Sequence, residues 1–80
     1  MLLIKDLKEG ETIYECEHGI NRKMRILESP KKEEKNLLIG EREYEQWTVL
    51  VVTDIGIKIQ LLQTENHLHY GPNLYYQPQY

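Results

Sequence analysis

The apolar residues of this chain fall in short runs of strand length, some alternating with polar residues at the two-residue period of a half-buried strand. No stretch of ordinary helix length keeps helical period. "TIYECE", Thr12–Glu17, is β-branched and aromatic and reads as a strand. "RKMRILE", Arg22–Glu28, sets Met24 and Ile26 against Lys23 and Arg25. The intervening "EHGIN" predicts a turn in which Gly19 or Asn21 supplies a positive φ, so the two runs form a hairpin. In "LLIGEREYE", Gly40 argues against a long helix, and the pattern predicts a short strand running into a polar stretch. "QWTVLVVT", Gln46–Thr53, is apolar on both faces, as in a central or doubly covered strand. "DIG" turns it, and "IKIQLLQT" returns with Ile57, Ile59 and Leu61 on one face.

The remaining segments punctuate this pattern. "SPKKEEKN", residues 29–36, reads as an exposed charged loop opened by Pro30. Pro72 and Pro78 keep the end of the chain from being a regular helix or a central strand. The expectation is one all-β domain over residues 1–80. Five or six short strands would form an antiparallel meander, either a small SH3-like barrel or a half-open sheet. The aromatic C-terminal segment, residues 67–80, would pack on the sheet or on a neighbouring chain.

Length adds a constraint. A chain of 80 residues buries only about 60–65% of its unfolded surface, and disulfides, metals or oligomers often make up the deficit. Cys16 is the sole cysteine, so no disulfide forms within one chain, and a lone thiol suits a reducing cytoplasm. The apolar run before Lys5 is too short for a signal peptide or membrane span, so a cytoplasmic protein with no membrane partner is expected. Net charge is −3, and residues 1–45 hold eleven of thirteen acids and nine of ten Lys/Arg. The weakly charged second half is suited to burial, in cis or in a homo-oligomer.

Three kinds of chemistry come into question. Cys16 with His18, and His67 with His69, are both i, i+2 pairs, so a thiolate and three imidazoles can converge if their strands are neighbours. Such a set suits zinc, although the spacing matches no common finger, and Cys16 also fits as a small buried hydrophobe. Catalysis has little support. No base is placed beside a nucleophile, no phosphate loop is present, and Glu41, Glu43 and Glu45 read as a solvated face if extended. Arg22, Lys23 and Arg25, with Lys31, Lys32 and Lys35, make a local basic cluster beside Tyr14. Interleaved acids argue against nucleic acid and for an acidic partner or a nucleotide phosphate. In a nucleotide site, Tyr14, Trp47, Tyr70, Tyr75 or Tyr76 would stack on the base while Arg22, Lys23 or Arg25 held phosphate.

"DLKEGETIY" resembles the lead-in to the first long strand of SH3-like barrels. "LKEGETIYECEHGIN" together with "YGPNLYYQPQY" looks like small accessory proteins of phages and prophages. The absence of Ala and Phe, with plentiful Ile, Lys, Glu, Asn and Tyr, fits AT-rich coding of that origin. The resemblance implies a non-enzymatic protein that inhibits a host factor, including a component of antiviral defence, by protein binding. A sponge sequestering a nucleotide-type signal, a metal-stabilised structural module and a nucleic-acid-binding small barrel are the alternatives.

Overall fold

A computed structural model describes residues 1–65 and 71–80. A 3-10 turn at Ile4–Asp6 precedes the strands β1 (Thr12–Glu17), β2 (Ile20–Ile26), β3 (Lys31–Lys32) and β4 (Leu37–Ile39). There follow β5 (Arg42–Tyr44), β6 (Gln46–Thr53), β7 (Lys58–Thr64) and β8 (Leu74–Tyr75). The architecture is all-β, as the short strand-length runs predict, and takes the half-open form rather than a closed barrel. Central β6 pairs with β7 on one side. On its other side β2 covers the C-terminal half and β3 the N-terminal half. Beyond β2 lie β1 and then β8, all antiparallel. A separate hairpin of β4 and β5 completes the chain.

Local chemistry explains where the pattern bends. The turn joining β1 and β2 is tighter than expected: Glu17 faces Ile20, so β2 begins two residues earlier than the alternation suggested. His18 and Gly19 both take positive φ, 51° and 77°, which matches the twist of a two-residue hairpin loop. The 29–36 segment is not wholly a loop, because Lys31 and Lys32 pair with Thr48 and Trp47. Leu27 N–H still bonds Leu50 O, so Glu28, Ser29 and Pro30 together oppose Val49. This is a bulge, and Pro30, lacking an N–H, fits there. "LLIGEREYE" proves to be two strands rather than one. Gly40, at φ 64°, turns β4 back onto β5. Glu41, Glu43 and Glu45 therefore do not share one face, since Glu41 lies in the turn and Glu45 pairs with Lys32 at 3.8 Å.

Cross-strand partners point to the same side of a sheet, which defines a core face. Ile13, Met24, Ile26, Val49, Val51 and Leu61 fill it, with Ile4, Leu7 and Leu74 closing over them. Ile59 joins this face half-buried, but Ile57 precedes β7 and is exposed, contrary to the expected apolar triple. Within the C-terminal segment, residues 74–75 pack on the sheet of their own chain. Leu74 is fully buried, and β8 runs beside β1 as a two-residue edge strand.

The gap between β7 and β8 is bridged by the N-terminal segment instead of a ladder. Leu2 N–H donates to Leu74 O at 2.8 Å on the β8 side. On the β7 side, Gln63 Oε1 accepts from Ile4 N–H at 2.7 Å, and Gln63 Nε2 donates to Leu2 O at 3.3 Å. Gln63 is 1% exposed, so its amide is a buried polar group satisfied by main chain on both sides. Gly71 lies directly against it at φ 143°, and an added Cβ would meet Gln63 Cγ at 2.6 Å.

Candidate binding face

The same strands that build the core present their alternate residues outward. β1 and β8 set Tyr14 directly opposite Tyr75, and β2 sets Lys23 on the other flank of Tyr14. In the next row Thr12, Arg25, Val52 and Lys58 follow one another across four strands. Lys31 stands further along the same face, opposite Thr48 and Leu62. Among the described residues, no Asp or Glu occupies a strand position on this face of the main sheet. Carboxylates border it: Glu33 and Glu34 line a groove with Thr48 and Leu62, Glu28 lies 4.0 Å from Lys31, and Asp54 stands at the start of the β6–β7 turn. Asp54 lines a shallow groove of about 320 Å³ together with Lys23, Arg25, Val52 and Thr12.

Of the other Lys and Arg, Arg22, Lys31 and Lys32 have partners, while Lys5, Lys8, Lys35 and Arg42 make no ion pair among the described residues. Arg22 lies 3.7 Å from Glu15, Lys32 3.8 Å from Glu45 and Lys31 4.0 Å from Glu28. Among the described residues, Lys23, Arg25 and Lys58 make no ion pair. A protein of net charge −3 thus keeps a patch of uncompensated positive charge on one open surface. Such a patch attracts anions by both local contact and longer-range field.

The structure divides the sequence-predicted residues. Tyr14, Lys23, Arg25 and Tyr75 come together on the outer face. Arg22 and Trp47 belong to the opposite side; Trp47 packs against the core, and its Nε1 is a buried donor without a partner among the described residues. Tyr76 follows Tyr75 and turns away from it. Desolvation, then a hydrogen bond to Glu11 and the Glu11 and Asp6 charges, push its phenol above the ordinary value. Tyr70, His67 and His69 lie outside the described residues. Of the proposed zinc ligands, Cys16 is half-buried on the outer side of β1, while exposed His18 sits in the turn 3.7 Å from Glu17. Among the described residues no three metal-ligating side chains cluster, and no helix is long and apolar enough to cross a membrane.

Lys58 escaped the sequence reading. Its own strand was legible, but its place beside Arg25 depends on β2 and β7 flanking β6, which no local pattern encodes. No family model, curated protein or solved structure matches the chain.

Proposed function

We propose that this chain is a non-enzymatic binding protein that receives an acidic protein surface on its outer sheet face. The observation that carries the reading is the unpaired Lys23–Arg25–Lys58 patch, free of strand carboxylates, on a protein that is acidic overall. The open form of the face favours a macromolecular partner, because small-ligand sites are concave and enclose most of the ligand. Tyr14 and Tyr75 would add rigid contact area with hydrogen-bonding tips beside the charge. With the phage or prophage resemblance, the partner would be a host factor that the protein occupies and blocks.

A second reading draws on a different detail. The contiguous row Tyr75, Tyr14, Lys23 sets aromatic rings beside a cation, which also suits a nucleotide stacked on tyrosine with its phosphate on lysine.

One titration separates the two. A fluorescent Asp/Glu-rich peptide, an oligothymidylate and a nucleoside monophosphate are each titrated into the full chain at low salt. The expected result is peptide binding that weakens about tenfold or more in Lys23→Glu/Arg25→Glu, from about two lost exposed charge contacts and the added repulsion. Equal peptide binding by both proteins would overturn the reading. Binding of the nucleotide alone would transfer the face to the sponge, and binding of the oligothymidylate alone to single-stranded nucleic acid.

A further inference from the structure

The β4–β5 hairpin forms its own two-stranded sheet. Among the described residues, Leu37, Leu38 and Ile39 are not part of the core cluster; Leu37, Ile39 and Tyr44 are half-buried on one face, while Leu38 on the other is exposed. A lone two-stranded hairpin is marginally stable in water and gains from being covered. Its base is held: Lys32 pairs with Glu45 at 3.8 Å, Glu33 N–H donates to Gln46 O at 2.8 Å, and Gln46 Nε2 donates to Lys35 O at 3.3 Å. Beyond that base the hairpin is an arm. Leu38 and Glu43 are cross-strand partners on one face, and Leu38 is 64% exposed. Glu41 is exposed at the tip. Among the described residues, neither Glu41 nor Glu43 has an ion-pair partner.

The outer face of the main sheet is the inverse of this arm. Around half-buried Leu50 and Val52, and Leu62 at 45% exposure, stand the unpaired cations Lys23, Arg25 and Lys58. Carboxylates around an apolar centre thus match cations around an apolar floor, within one sequence. We propose that the β4–β5 arm of one copy docks on the outer face of a second copy. Leu38 would lie on the aliphatic floor while Glu41 and Glu43 meet the cations. The inference rests on the reading that this face takes acidic protein surfaces, and it adds a regulation. Self-association occupies the face, so a different acidic partner must displace the arm. Exchange of both arms about a two-fold axis closes the pair, whereas one-way docking continues into a chain. Because the contact is exposed and charge-led, it weakens with salt.

The test is sedimentation velocity of the full chain over a range of concentrations, at low and high salt. Association at low salt that declines with salt is expected. Glu41→Lys/Glu43→Lys makes arm and face both positive, and Lys23→Glu/Lys58→Glu makes both negative. Each variant alone should associate about tenfold or more weakly than the parent protein. Mixed, the two variants should associate again, because each reversed surface finds its opposite on the other. A parent protein that stays monomeric throughout, or association untouched by either reversal, would overturn the proposal. The acidic peptide, titrated into a Glu41→Gln/Glu43→Gln variant with a neutral arm and an intact face, distinguishes the two claims. Peptide binding with a monomeric parent sinks the self-docking alone. Charge-swapped association without peptide binding upholds the self-docking and removes the wider partner reading.

Discussion

Ile13, Met24, Ile26, Val51 and Leu61 fill one side of the main sheet, while their strand neighbours Tyr14, Lys23, Arg25, Val52 and Lys58 stand on the other. The two faces share every main-chain hydrogen bond, so neither can shift register without the other. They differ in what covers them. The core face is closed by the N-terminal segment and Leu74, and its side chains leave water completely or nearly so. The outer face keeps cations, tyrosines and half-buried aliphatics in view of solvent. Stability is therefore concentrated on one side, and the other side can carry charge that a core would not tolerate.

Neighbouring residues in β2 test this division most sharply. Ile26→Ala should cost about 2–5 kcal/mol, because it removes a fully buried side chain from a small core. Arg25→Ala, one residue away on the outer face, should stay within about 0.5 kcal/mol. Urea unfolding of both variants decides it. Similar losses would mean that the outer face is also structural, and its cations would then need another explanation.

A smaller effect is expected where the core face meets its cover. Gln63→Leu keeps the volume but leaves Ile4 N–H without its acceptor and Leu2 O without its donor. The cost should be about 1–3 kcal/mol, read as a lower unfolding midpoint. Hydrogen exchange at the Ile4 amide should speed up by more than at the β6 amides, since the N-terminal cover loosens first. An unchanged midpoint would show that the segment is held by Ile4 and Leu7 packing alone.

What the sequence disclosed follows the same division. The β-branched and aromatic content of β1 and the apolar run of β6 announced strands, and the alternation in β2 separated Met24 and Ile26 from Lys23 and Arg25 without any structure. The basic pair and Tyr14 were legible for the same reason. Non-local facts were not legible. The positions of Tyr75 beside Tyr14 and of Lys58 beside Arg25 follow from sheet order, and sheet order is set by long-range pairing. Gln63 looked like one polar residue in a strand, because its partners are main-chain atoms some sixty positions away. The β4–β5 hairpin was obscured because Gly40 weakens strand and helix alike until its left-handed φ is seen.

The smallest expected effect concerns a residue that belongs to neither face. His18 holds φ at 51° in the two-residue turn between β1 and β2. Left-handed backbone strains most side chains, and Asn followed by Gly is the preferred pair for such a turn. As a pure turn residue, His18→Asn should raise stability by a few tenths of a kcal/mol, up to about 1 kcal/mol. As a zinc ligand with Cys16, His67 and His69, the same change should lower it, and a chelator should lower the parent protein to match. The melting temperatures of both proteins, with and without chelator, give opposite signs for the two roles. A gain on substitution with indifference to chelator would assign His18 to the turn. The outer face would then remain the surface on which this small protein's chemistry is to be sought.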